Sequence, residues 1–276
     1  MDALVIPEFT PGVFTTLSGE EYHRIEAMSS SGAKKILRSP QHYKLFRDTP
    51  SEPTEQMQFG TAVHCGLLEP QHFDARVVRG ERFDKRTTAG KVGHAAFQSL
   101  NAGRIILESE AHERALRCID AVLAHPAASR LLDGARTELS LMWIDGRYKV
   151  PCKARLDAAN HGGIVDLKTT QDASPEAFAR SIATFRYDVQ AAWYMSGAEH
   201  VLDATPTFFA FIVVESEPPH AVAVYAIGPA SLQAGAARAD VALERYAQAL
   251  NTGSWHGYPD TIESIEMPAW ARKVDL

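Results

Sequence analysis

In the stretch IVDLKTT, residues 164–170, Asp166 and Lys168 stand two positions apart inside a run that otherwise reads as a strand. Side chains alternate between faces along a strand, so these two project together while Val165 and Leu167 pack on the other side. A further carboxylate, Asp157, ends the upstream run KARLD, and the intervening AANHGG is short enough to bring it near Asp166. Two neighbouring carboxylates repel unless a cation sits between them. A divalent metal relieves that conflict, and Mg2+ suits a site with few carboxylates and several waters. Lys168 is then placed to orient or deprotonate an attacking water, or to stabilise charge developing on a phosphoryl group. The plainer reading is an exposed hairpin carrying an Asp–Lys surface pair of little energetic weight.

Four further positions bear on that choice. His64, in FGTAVHCGLLEP, is the polar member of an otherwise apolar helix. It is either a satisfied core histidine or a third ligand. Gln190 and Tyr194, in DVQAAWY, are spaced i,i+4 and share a helical face. Beside an Asp/Asp/Lys site they offer an amide and a phenol for holding DNA or a catalytic group. Glu138, in TELSLMW, is a second-tier candidate that faces either the same cleft or solvent.

The elements that must carry these residues follow from periodicity. MSSSGAKKILRSP reads as a helix entered through serines and closed before Pro40, with a short helix over 41–47. Apolar spacing predicts a buried helix over 55–70, a basic irregular mobile loop over 71–92, and helices near 92–100 and 108–132. From 137 the texture becomes alternating, punctuated by DG and GG. It predicts antiparallel strands at 137–144, 147–157 and 163–169. A helix over 175–200, two strands joined at EPP and an alanine-rich helix over 229–251 complete the chain. The expected class is α/β, with a mixed central β-sheet flanked by helices and an α-helical N-terminal portion. One domain is expected over 1–276: a mainly helical part to about 135 with the His motif, a β-rich core over 136–228, and a C-terminal helix and tail over 229–276.

Composition sets bounds. The 276 residues are 45% hydrophobic and 22% charged, the balance of a soluble globular protein, and no run approaches the roughly 20 apolar residues of a membrane helix. The start, MDALVIPEFTPGVF, lacks the basic and apolar regions of a signal peptide. Three cysteines without CxxC spacing argue against a disulfide framework, a four-cysteine zinc site or an iron–sulfur cluster. A cytoplasmic location is the expectation. Net charge is −6, yet Arg24 to Lys91 holds 12 Lys/Arg against 8 Asp/Glu. Clustered basic residues in an acidic chain are an electrostatic footprint for nucleic acid, or two solvated faces.

The order GTAVH (60–64), KARLD (153–157), IVDLK (164–168) and QAAWY (190–194) resembles the PD-(D/E)XK nuclease superfamily. More narrowly it is similar to the branch of the RecE nuclease domain (exonuclease VIII) and its phage relatives. MSSSGAKKILRSPQHY, the basic FDKRTTAGK and the C-terminal WHGY…IEMPAWA extend the likeness over most of the chain. The second acid is Asp rather than Glu and no proline precedes Asp157, variations that occur in this branch. The resemblance implies a restriction-endonuclease-like core, with His64, Asp157 and Asp166 as metal ligands, Lys168 as the catalytic lysine, and Gln190 and Tyr194 as a Gln-x-x-x-Tyr motif. It implies a hydrolase of phosphodiester bonds: a Mg2+-dependent exonuclease, Mn2+ substituting, acting 5′ to 3′ on linear double-stranded DNA. The 3′ single-stranded overhangs would serve DNA recombination by strand annealing. Ser29, Ser31, Lys34, Lys35 and Arg38 would cradle a 5′ phosphate, and Arg82, Lys85, Arg86 and Lys91 would grip the DNA backbone. Implied partners are DNA ends, a RecT-like single-strand annealing protein and further copies in a ring, with no membrane. The alternatives are an endonuclease of the same fold, a catalytically inactive DNA-end-binding protein, and a metabolic α/β enzyme with a fortuitous DxK.

Overall fold

The computed structural model describes residues 9–49, 52–160, 162–268 and 272. Strand β1 (Gly12–Phe14) precedes helices α1 (Gly19–Arg24), α2 (Ser30–Ile36), α3 (Pro40–Asp48) and α4 (Glu55–Leu68). A helical turn, Pro70–His72, leads to α5 (Phe73–Arg76), β2 (Val77–Arg79), α6 (Thr88–Leu100), β3 (Ile105–Leu107), α7 (Ser109–Ala124) and α8 (Pro126–Leu132). Then come β4 (Arg136–Ile144), β5 (Pro151–Asn160), β6 (Gly163–Thr170), α9 (Pro175–Phe185), α10 (Tyr187–Val201), β7 (Phe208–Glu215), β8 (Val222–Ala226) and α11 (Pro229–Thr252).

Six strands form one mixed sheet in the order β1-β4-β5-β6-β7-β8. Its pairs are antiparallel except β6–β7, which run parallel. The parallel pair needs a crossover, and α9 and α10 supply it. Alternation along β6 then divides two cores. Ile164 faces a cluster with Trp193, Tyr194 and Phe211 beneath α2, α10 and α11. Val165 and Leu167 face a second with Val63, Cys118 and Ile119 beneath α4 and α7. The strand β7, FFAFIVVE, lies between both clusters and is apolar on both faces. Helices α10 and α11 approach so closely at Gly235 that a Cβ there would lie 2.1 Å from the Asp188 carbonyl oxygen.

The restriction-type α/β architecture and the three-strand run agree with expectation, and several boundaries do not. The expected loop over 71–92 contains α5 and β2, and α6 begins at Thr88, capped by the Thr87 hydroxyl. The irregular part is therefore 80–87. The expected helix over 108–132 is two, because Pro126 lacks the amide hydrogen to continue α7 and instead opens α8. The expected helix over 175–200 is broken at Arg186, in the left-handed region with φ 55°. The second strand starts at Pro151 rather than 147, since the Asp145 carboxylate accepts from Arg147 N and Tyr148 N and holds a turn. Strands β1 and β3, three residues each, are too short to register as periodic patterns. Of the C-terminal likeness, Trp255 stacks on Tyr43 with centroids 5.6 Å apart, while Ala269, Trp270 and Ala271 lie outside the described residues, as do residues 1–8 at the N-terminus. Among the described residues no helix is long and apolar enough to cross a membrane, and Cys65, Cys118 and Cys152 are buried free thiols.

Candidate active site

The site is built where the sheet's ladder opens. Strands β5 and β6 pair from Asn160↔Gly163 to Ala158↔Val165 and no further. The same register would put Asp157 opposite Asp166, and there the strands part. The Asp157 carboxylate takes the place of the missing strand partner, with Leu167 N–H donating to its Oδ2 at 2.7 Å. On the other side, β4 and β5 pair at Thr137↔Ala158 and Leu139↔Leu156, which puts Glu138 opposite Asp157. Glu138 is held at φ 53°, a left-handed conformation that costs a non-glycine residue free energy. Three carboxylates thus lie in a row across three adjacent strands.

Each is answered differently. Glu138 pairs with Arg155, which also donates to the Leu17 carbonyl at 2.7 Å and to Ser140 Oγ at 2.9 Å. Asp166 is fully buried; its Oδ2 meets the Lys168 ammonium and its Oδ1 accepts from Gln190 Nε2 at 2.7 Å. Burial opposes the charge on Lys168, but Asp166 and Asp157 outweigh it and hold the lysine above its ordinary value, as the cation. Asp157 has no cation in contact. Burial, then the charge of Asp166, lifts it well above the usual carboxylate range.

His64, on α4, faces Asp157. The Leu167 carbonyl can only accept, so the 3.0 Å contact to His64 Nε2 places the ring proton there. Burial, then Lys168, lowers the His64 pKa and keeps the ring neutral. Its unprotonated Nδ1 lies 3.6 Å from Asp157 Oδ2. Two acceptors at that spacing can share a proton or a cation between them.

That is the test of a metal. Among the described residues no three His, Cys, Asp or Glu side chains stand in a metal-holding cluster, and the Lys168 ammonium lies against Asp166 instead. The donor chemistry nevertheless fits a hard divalent ion: two carboxylates and a neutral imidazole whose unprotonated Nδ1 lies beside Asp157.

Helix α10 supplies the supporting shell. Gln190 Nε2 also lies 3.3 Å from Tyr194 OH, and the Gln190 Oε1 accepts from Lys34 Nζ at 3.2 Å. Acceptors on the Nε2 side and a donor on the Oε1 side fix which way the amide points. Lys34, expected on the phosphate-gripping surface, is instead half-buried in the site; burial, then Lys168, lowers its pKa to about 8. Both lysines lie over the ring of Tyr187, Lys168 at 4.8 Å and Lys34 at 5.3 Å from its centroid. Tyr187 and Arg155 were missed in the sequence, although Tyr187 lies three residues before Gln190 on its helical face.

The other basic candidates lie apart from this cluster. The Ser29 hydroxyl accepts from Gly32 N and caps the seven-residue α2. Ser31 is exposed, Lys35 lies 5.7 Å from the Phe46 ring centroid, and Arg38 donates to Tyr258 OH at 3.3 Å. Arg82, Lys85, Arg86 and Lys91 are exposed, Arg86 pairing with Asp84 at 3.0 Å. None of them lines the cleft of about 1310 Å3 onto which His64, Glu138, Arg155, Lys168 and Tyr187 open.

A family described as "PDDEXK-like domain of unknown function (DUF3799)" matches residues 29–268, which span the helix of Lys34, sheet strands β4 to β8 and α11. The chain belongs to this PDDEXK-like family. Among solved structures, a "Putative exonuclease" from Eubacterium rectale is 13% identical, with a TM-score of 0.58 over 95% of this chain and 99% of that one. At that identity the likeness is one of fold. A second structure, SSO0001, is 15% identical over 76% of this chain and 85% of its own, with a TM-score of 0.29. No curated protein matches the chain.

Proposed function

We propose that this PDDEXK-like chain is a metal-dependent nuclease, and more narrowly an exodeoxyribonuclease that degrades linear double-stranded DNA from 5′ to 3′. The observation that carries the reading is the row Glu138, Asp157 and Asp166, opened out of the β4–β5–β6 ladder beside a cationic Lys168 at the cleft. A purely structural sheet gains nothing from three carboxylates abreast and a lysine that neutralises only one.

Asp157, Asp166 and His64 would hold the ion, for which Mg2+ or Mn2+ is suitable. When bound, it would supply Lewis-acid polarisation of the scissile phosphate and a more acidic water. Lys168 donates to phosphate oxygens as negative charge grows on them. Gln190 and Tyr194 hold Asp166 in one orientation. Arg155 neutralises Glu138 and Lys168 pairs with Asp166, leaving Asp157 as the unbalanced charge. Hydrolysis adds water's oxygen to phosphorus and breaks one P–O ester bond.

End dependence and polarity rest on the sequence resemblance; the name of the Eubacterium rectale protein is in keeping with an exonuclease. Exposed Ser31, Lys35, Arg38, Arg82, Lys85 and Lys91 are proposed to contact DNA phosphates. Strand annealing with a RecT-like protein and a ring of copies belong to the same proposal. Linear duplex labelled separately at its 5′ and 3′ ends, alongside closed circular DNA, tests it. Loss of the 5′-labelled strand with the circle intact is expected. Cutting of the circle would indicate an endonuclease instead.

A further inference from the structure

We infer that Phe185 and Tyr187 form a stacking shelf that takes one nucleobase of the strand held at Lys168. The inference rests on the nuclease reading and deepens it.

Phe185 is the last residue of α9 and Tyr187 the first of α10, separated only by Arg186 at φ 55° and ψ 46°. A non-glycine residue in that conformation costs free energy, so the surrounding structure holds the break in place. Its result is that both rings open onto the cleft. Their centroids are 5.6 Å apart with planes at 31°. Phe185 is 57% exposed. A single surface phenylalanine is ordinary; this one adjoins the catalytic lysine and has a rigid aromatic backing. Tyr187 packs on Phe178 at 6.1 Å and on Phe211 at 6.0 Å, and Phe178 and Phe211 are fully buried.

The charge beside the shelf chooses the ligand. Lys168 and Lys34 both lie over Tyr187, and among the described acidic groups Asp166 alone contacts either of them. An exposed ring next to paired ammonium groups matches a nucleotide, with its phosphate toward the lysines and its base against Phe185. The neighbouring cleft lining mixes polar Gln171, Asp172 and Ser181 with apolar Ala177 and Phe178, as suits a nucleotide with one polar and one apolar face. Because every base has a π-face, the shelf would be indifferent to sequence. A base stacked there is unpaired, so the shelf favours a frayed or single-stranded end over an intact duplex.

The test uses single-stranded oligonucleotides carrying 2-aminopurine at successive positions, mixed with the full chain in EDTA so that nothing is cut. Wild type and Phe185→Trp should quench the probe at one position with similar affinity. Phe185→Ala should lose that quenching and bind about tenfold more weakly. An abasic nucleotide at that position should bring wild type to the level of Phe185→Ala. If wild type cleaves linear duplex in Mg2+ while Phe185→Ala keeps quenching and affinity, the shelf is wrong and the nuclease stands. If wild type neither binds nor cleaves DNA, both fall together.

Discussion

His64 Nδ1, its ring proton on Nε2, lies 3.6 Å from Asp157 Oδ2. Burial, then the charge of Asp166, opposes the charge on Asp157. A divalent ion between the two side chains would offset both effects. Mg2+ or Mn2+ should therefore raise the melting temperature of wild type with a concentration dependence set by mass action. Asp157→Asn should abolish that rise, yet in EDTA be at least as stable as wild type, since the substitution removes a strained buried carboxylate. Differential scanning fluorimetry with and without metal reads both effects.

Lys34 reaches Asp166 only through Gln190, its ammonium fixing the amide that donates to Oδ1. Lys34→Met should leave the fold intact and lower cleavage about ten- to a hundredfold by letting Gln190 rotate. Lys34→Arg should recover part of the loss. Single-turnover cleavage rates, compared with circular dichroism of the same preparations, check this.

Lys153 is a buried cation remote from the acid row. Its ammonium donates to the carbonyls of Tyr22 at 2.8 Å and Ile25 at 2.7 Å, closing the end of α1. Burial lowers its pKa from 10.5 to about 8. Between those values the unfolded chain binds the proton that the folded chain has released, so folding stability rises with pH there. Relative to Lys153→Met, wild type should gain about 2 kcal/mol between pH 8 and pH 10. Urea unfolding of both proteins at the two pH values measures the difference.

Gly235 allows α11 to touch α10, the helix that carries Gln190 and Tyr194. A Cβ would meet the Asp188 carbonyl at 2.1 Å, and backbone cannot yield as a flexible side chain does. Gly235→Ala should cost about 1–3 kcal/mol despite its better helix propensity. An unchanged urea midpoint would contradict this packing.

Much of the core was legible from alternation. The strands β4, β5 and β6 have one apolar face and tight turns, so their existence and the shared face of Asp166 and Lys168 follow from a period of two. Gln190 and Tyr194 were legible as an i,i+4 pair once a site existed for them to serve. Lys34 was named only for a 5′ phosphate, and its bond to Gln190 was not legible, because nothing local distinguishes it from Lys35 next to it; only the docking of α2 on α10 turns one inward and leaves the other exposed. The turn at Arg186 was equally hidden, since a left-handed conformation at a non-glycine residue is imposed by tertiary packing rather than local preference. Glu138 could be placed on its strand, but its opposition to Asp157 depends on register, which a single strand's pattern does not specify.

The central claim is that the opened acid row and Lys168 hydrolyse DNA. It is tested most directly by incubating linear duplex DNA with wild type, Asp166→Asn and Lys168→Ala, each in Mg2+ and in EDTA, and measuring release of acid-soluble nucleotide. Release by wild type in Mg2+ alone, reduced at least a hundredfold in both variants while their folding is retained, is the result predicted. Release that persists in EDTA, or that survives in Lys168→Ala, would contradict it.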